Sequence, residues 1–368
     1  MSADKVLNKK PLSFEALIRK DLQNFAPYAS ARSEKITGDV WLNANENPWD
    51  SGSDNALWNR YPEPQPQSLI TLLSQCYQVK EEELLITRGS DECIDLLVRL
   101  FCEYQKDSVY ACAPTFGMYK VAAALQGVHY AAFSLEEAKD FELEVGAFIQ
   151  SVPTSCKVVF LCSPNNPTGN SLSPQVVEKI IVALKGRCIV VVDEAYIEFS
   201  HAASFSIEIQ THDHLVVLRT LSKAYGLAGV RVGAMIAHPR LIACVKKILA
   251  PYPIAKPCVE AVLKALNSEG LAVMASRQAL ICEERERLYQ AFQNLSIVHK
   301  VWSSGGNFLL IRFTQNIFET CLEQGIVMRS MSKVLGDCHM IRVSIGTPDE
   351  NNLVINMLEL LSMAYETV

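Results

Sequence analysis

Four short apolar runs in the middle of the chain, separated by helix-length segments, restrict the fold more than any other feature. Ser108–Ala113, Lys157–Cys162, Cys188–Asp193 and His214–Leu218 are continuous apolar stretches. Runs without polar alternation suit strands buried on both faces of a parallel sheet. Between the second and third lies Ser173–Lys185, with Ser173 placed as N-cap, Pro174 at the first helical position and apolar residues at 176, 177, 180, 181 and 184. That spacing predicts one amphipathic helix. Strand, helix and strand within about 30 residues make a βαβ unit, and repetition of the unit predicts a doubly wound α/β sheet.

After Pro251-Tyr-Pro253 the pattern changes. A long helical stretch from Lys256 to about Gln293 precedes β segments at Asn307–Phe313 and Met340–Ser344, and a closing helix is expected from Asp349 to about Tyr365. The expected organisation is an N-terminal arm over residues 1–38 packing on the small domain, a large domain over 39–255, and a small α+β domain over 256–368.

The 368 residues are 49% apolar and 20% charged, enough to bury a large core. A formal charge of −6 and the lack of a basic stripe argue against a nucleic-acid partner. Twelve cysteines are scattered without a CxxC pair, which predicts reduced core thiols of a cytoplasmic protein and neither a disulfide frame nor a metal site. The first ten residues hold no signal-like apolar segment, and no apolar run reaches the roughly 20 residues that cross a bilayer, so no membrane role is expected.

In open α/β sheets ligands gather at the carboxyl ends of the strands. Those ends carry Ser163–Gly169 after the second run, Asp193-Glu-Ala-Tyr196 after the third and Thr220-Leu-Ser-Lys223 after the fourth. Asn166 precedes Asp193 by 27 residues and Asp193 precedes Lys223 by 30, matching successive βαβ units, so the three ends point into one crevice. Lys223 follows Leu215–Leu218 inside a Gly/Ala-rich stretch, where little water keeps an ammonium charged. Such a lysine can lose its proton and attack an aldehyde, the chemistry of a lysine that binds pyridoxal 5'-phosphate (PLP). Asp193 supplies the carboxylate such a cofactor needs at its ring nitrogen, and Asn166 and Tyr196 can donate to its phenolate oxygen. The cofactor phosphate needs donors at a helix start. Gly89-Ser90-Asp91 opens a helix with apolar positions 94, 97, 98 and 101, so Ser90, Asp91, Ser222 and Arg231 are the candidate phosphate cup. Taken singly, Lys223 also fits a surface lysine, Asp193 a turn cap and Asn166 a good turn sequence.

Asn165–Gly169, Asp193–Tyr196 and Thr220–Arg231, in this order and spacing, resemble the fold-type I, aspartate aminotransferase-like PLP enzymes. Ala26–Tyr28, Leu42–Pro48, Arg60–Gln65, Ala113–Tyr119, Asp193–Glu198 and Ala250–Pro253 are similar, more narrowly, to the histidinol-phosphate aminotransferase family, and the resemblance runs from about residue 20 to the C-terminus. It implies a large domain with a mostly parallel sheet between helices plus a smaller α+β domain. The implied activity is PLP-dependent transamination between histidinol phosphate or imidazole acetol phosphate and glutamate or 2-oxoglutarate, in histidine biosynthesis.

By the same resemblance Lys223, Asp193 and Tyr196 are catalytic, and Ser90, Asp91, Phe116, Asn166, Ser222 and Arg231 join them in binding the cofactor. Phe116 stands where many relatives place tyrosine, which preserves stacking on the cofactor ring but removes a hydroxyl. Tyr61 is implied to reach the neighbouring subunit's cofactor phosphate, making the protein a homodimer. Tyr28, Arg329 and Arg342 are implied to bind substrate, the arginines because a planar fork suits both carboxylate and phosphate. The same scaffold also hosts aromatic amino acid aminotransferases and PLP-dependent decarboxylases of phosphorylated amino acids, and a cofactor-free binding protein is a third reading.

Overall fold

The computed structural model describes residues 13–28, 31, 38–50 and 57–366. Among these residues, seven strands form the larger sheet: β1 (Leu84–Thr87), β2 (Ser108–Ala113), β3 (His129–Ser134), β4 (Cys156–Cys162), β5 (Ile189–Asp193), β6 (Leu215–Thr220) and β7 (Gly233–Ala237). Their order is β1-β7-β6-β5-β4-β2-β3. Strands β2 to β6 pair in parallel, whereas β7 runs antiparallel to both β6 and β1. The reversal follows from length, because residues 221–232 between β6 and β7 hold no crossover helix long enough to return the chain for a parallel pairing.

The unbroken apolar runs are buried on both sides, as their pattern predicts. Val190 and Val192 of β5 join one apolar cluster with Val159 and Leu161, while Ile189 and Val191 join another with Val158 and Phe160. Each fully buried side chain of this kind contributes roughly 1.5–3 kcal/mol, enough to hold the strand ends level. The helix Pro174–Leu184 starts as expected, with the Ser173 hydroxyl accepting from the Val176 N–H and Pro174 in its first turn. Strands β1, β3 and β7 had no counterpart in the sequence reading: β1 spans four residues, β3 is a half-exposed edge and β7 begins Gly-Ala.

A second sheet of four antiparallel strands, in the order β10-β11-β9-β8, is built from β8 (Val298–Trp302), β9 (Phe308–Phe313), β10 (Arg329–Ser330) and β11 (Met340–Ser344). It packs with the helices Ser268–Gln293 and Pro348–Glu366 around Leu288, Phe292, Leu309, Ile311, Ile341 and Leu358. The long helical stretch from Lys256 is in fact two helices, ending at Ala265 and restarting at Ser268. Asn267 causes the break, because its side chain accepts from the Gly270 N–H and caps a new helix start.

The N-terminal arm departs from expectation. Its described residues Phe14, Leu17 and Ile18 pack with Leu85, Leu97 and Leu100 of the large domain, not on the small one. The Arg19 N–H donates to the Leu100 carbonyl at 3.1 Å, and Glu15 pairs with Arg240 at 2.7 Å. One main-chain N–H, one carboxylate and an apolar trio find partners around β1 and the helices flanking β1 and β7, which places these described residues of the arm there. The two sheets meet where the Gly305 N–H donates to the Gly169 carbonyl at 2.8 Å and Trp302 donates to Asp140 at 3.0 Å. Among the described residues no helix is long and apolar enough to cross a membrane.

Candidate active site

Register places the polar strand ends side by side, with Cys162 opposite Asp193 and Asp193 opposite Leu218. Asp193 is 2% exposed. One carboxylate oxygen accepts from the Ala195 N–H at 3.1 Å and the other from the Tyr119 hydroxyl at 2.8 Å. Burial raises its pKa to about 6, with both hydrogen bonds pulling the other way. The Asn166 amide donates to the Tyr196 hydroxyl at 3.3 Å, while its oxygen accepts from Arg342. Burial raises the Tyr196 pKa, which keeps that phenol a donor.

Lys223 lies in the turn after β6, its Nζ 5.5 Å from the centre of the Tyr196 ring. The side chain retains access to solvent, more than its apolar neighbours in the sequence suggest. Burial of its ammonium end nevertheless lowers its pKa, and the nearby Arg342 charge adds to the effect. Both favour the neutral, nucleophilic amine.

The start of the helix Ser90–Phe101 lies beside this turn, with Ser90 and Asp91 lining one cavity together with Ser222 and Lys223. Arg231 reaches Asp91 at 3.1 Å and the Ser222 hydroxyl at 3.4 Å. Thr220 in turn donates to Ser222 at 3.0 Å, bringing Ser90, Asp91, Ser222 and Arg231 together as the sequence reading expects. Two glycines permit this closeness. A Cβ at Gly233 would come within 2.6 Å of the Ser90 nitrogen, and one at Gly89, whose φ is +78°, within 2.7 Å of the Arg231 guanidinium. Helix-start N–H groups, a serine and an arginine around such a cradle fit a phosphate, and the buried Asp193 and Lys223 fit the ring nitrogen and aldehyde of PLP.

Two cavities adjoin here. The inner one, of about 100 Å³, is lined by the phosphate cup, Asp193 and Phe116; the outer, of about 520 Å³, by Asn166, Arg329, Met331 and Arg342. Phe116, Tyr196 and Lys223 line both. Arg329 and Arg342 stand opposite each other across the β10–β11 ladder, so two guanidinium groups face one space from the small sheet. Two expected site residues lie elsewhere in this chain. Tyr28 is 74% exposed, and Tyr61, 51% exposed, stacks on Tyr252 at 4.5 Å beside a separate cavity lined by Trp58, Arg60 and Lys256.

Tyr119 behind Asp193 carries no motif of its own in the sequence, although it stands three residues after Phe116 and its ring meets that of Phe116 at 5.8 Å. The sequence reading missed a buried charge cluster beside the site. Arg219 lies 4.6 Å over the Tyr77 ring, contacts Glu198 at 2.7 Å and Glu194 at 3.5 Å, and Glu194 also accepts from Ser204. Burial raises the Glu194 pKa to about 7, with Arg219 opposing the rise.

A mostly parallel sheet with a lysine, a buried carboxylate and a phosphate cradle at its carboxyl edge, covered by a small antiparallel domain, defines an aminotransferase-type enzyme. The family model for aminotransferase class I and II matches residues 27–358, and the chain belongs to that family. A histidinol-phosphate aminotransferase of Francisella philomiragia is 52% identical over 353 residues, covering 96% of this chain and 97% of its own. The crystal structure of the histidinol-phosphate aminotransferase of Clostridium acetobutylicum is similar in fold, with a TM-score of 0.76 at 21% identity, covering 84% of this chain and 93% of that one. The structure of the Sinorhizobium meliloti histidinol-phosphate aminotransferase in complex with pyridoxal-5'-phosphate has a TM-score of 0.74 at 21% identity, covering 83% of this chain and 84% of that one.

Proposed function

We propose that this protein is a PLP-dependent transaminase that exchanges the amino group between histidinol phosphate and 2-oxoglutarate, forming imidazole acetol phosphate and glutamate in histidine biosynthesis. One observation carries the reading: Lys223 borders both a cradle suited to a cofactor phosphate and a cavity facing two arginines. Bound there, PLP supplies an aldehyde that takes up the amino group and an electron-poor ring that stabilises negative charge at the substrate carbon.

The chain's own residues supply the rest. Asp193 would hold negative charge at the ring nitrogen, while Ser90, Asp91, Ser222 and Arg231 would hold the phosphate. Asn166 and Tyr196 would donate to the phenolic oxygen, and Phe116 would cover the ring. Lys223 would move the proton from the substrate's Cα, with its lowered pKa favouring the base form. Arg329 and Arg342 bind the carboxylate of one substrate and the phosphate of the other.

The protein acts as a homodimer in this reading. Tyr61 is exposed on its own chain, as a residue that completes a neighbouring subunit's phosphate site requires. Tyr28, also exposed, is assigned to the substrate phosphate. Twelve free cysteines, seven of them buried, suit a reducing cytoplasm.

Mixing the holoenzyme with glutamate alone should convert the bound aldehyde form to the amine form, seen as an absorbance change, and histidinol phosphate alone should do the same. Inertness to both substrates refutes the assignment. Release of carbon dioxide from a phosphorylated amino acid would identify a decarboxylase instead, and turnover confined to aromatic amino acids an aromatic aminotransferase.

A further inference from the structure

We propose that Tyr119 is a positioning residue for Asp193, its hydroxyl holding the carboxylate in the one orientation that meets the cofactor's ring nitrogen. The inference rests on the PLP reading of the site. Tyr119 is 0% exposed and lies in the helix Met118–Gln126, which the wound topology lays against β2 and β3. Its ring stacks on Phe160 of β4 at 4.5 Å and 6°, and meets the Phe116 ring edge-on at 5.8 Å. A phenol wedged between two rings cannot swing, so its hydroxyl has a set position, 2.8 Å from Asp193.

The chemistry fixes which atom donates. Burial raises the Tyr119 pKa well above that of a free tyrosine, so the proton stays on the phenol and Asp193 accepts. The Ala195 N–H occupies the other carboxylate oxygen, so each oxygen carries one protein donor and keeps a lone pair for a further partner. Remove the hydroxyl and a buried carboxylate loses a charge-assisted hydrogen bond along with the contact that sets its rotation. Because Phe116 also leans on this ring, Tyr119 supports the two residues assigned to the ring nitrogen and the ring face together.

The test compares equilibrium binding of PLP and of its 1-deaza analogue, in which CH replaces the ring nitrogen, to cofactor-free wild type and Tyr119→Phe. Loss of one hydrogen bond to a charged group should weaken PLP by roughly 10-fold or more and leave the deaza analogue within about twofold. The rate of amino transfer from glutamate should fall by a similar factor, about 10-fold, with the glutamate dissociation constant unchanged. Equal weakening of both cofactors, or of neither, overturns the proposal. Should Tyr119→Phe fail to fold, Tyr119→4-aminophenylalanine keeps the ring and a weaker donor. It should then lose about threefold in PLP binding alone, and an equal or absent loss for the two cofactors again overturns the proposal. Failure of wild type to bind PLP, or borohydride labelling away from Lys223, brings down the cofactor reading itself and is seen before any variant is compared.

Discussion

Arg342 of the small sheet donates to the side-chain oxygen of Asn166 in the large domain, although 176 residues separate them. The contact turns the Asn166 amide toward the Tyr196 hydroxyl, so a residue assigned to substrate also orients one assigned to the cofactor. Replacing Arg342 by Lys keeps the charge but removes the planar fork. Michaelis constants for both glutamate and histidinol phosphate should rise by roughly 10-fold, measured in steady-state assays with each substrate varied in turn. Unchanged constants for both would remove Arg342 from the anion site.

Lys223 borders both cavities. Lys223→Ala should lower turnover by at least about 10³-fold, since covalent attachment, proximity and base catalysis are lost together. Borohydride reduction of the wild-type holoenzyme followed by peptide mass mapping should place the pyridoxyl label on Lys223, and the variant should carry none. Near-normal turnover in the variant would refute the role.

Burial raises the folded-state pKa of Asp193 from 3.8 to about 6, so between these values the folded chain binds a proton that the unfolded chain has released. By linkage, the Asp193 contribution makes the cofactor-free protein less stable as pH rises through this window, after which the penalty is constant. Asp193→Asn should remove it. The stability gain of the variant, read from urea denaturation at pH 4 to 7.5, should grow from near zero to on the order of 3 kcal/mol above pH 6. The rise at Glu194, from 4.5 to about 7, acts in the same direction in both proteins and cancels in the comparison.

Arg219 neutralises Glu194 and Glu198 in the interior. Arg219→Met should destabilise the protein by about 3–5 kcal/mol, because two buried carboxylates lose their cation. Adding Glu194→Gln and Glu198→Gln should restore most of that loss in the same denaturation assay. A triple variant as unstable as the single one would show that Arg219 acts through its packing on Tyr77 and not through charge.

Much of the large domain was legible because its strands are buried on both faces and therefore read as unbroken apolar runs at regular spacing. Asn166, Asp193 and Lys223 could be placed in one crevice from that spacing alone, since parallel connections put successive carboxyl ends on one edge. The edge strand β3 and the four-residue β1 gave no comparable pattern, and the reversed β7 depends on how residues 221–232 turn back. The break at Asn267 was legible in principle, because an asparagine three residues before Gly270 is a capping pattern. The N-terminal arm was misplaced because Phe14, Leu17 and Ile18 say that a face must be covered but not which one.

The sequence by itself determined the parallel α/β architecture and the chemistry waiting at three strand ends, because burial periodicity and residue type are local properties of the chain. Only the tertiary structure decided that Tyr119 backs Asp193, that Arg219 bridges Glu194 and Glu198, and that Arg342 reaches Asn166. Those pairings join distant elements, and their distances depend on how helices and sheets settle against one another when the apolar faces close.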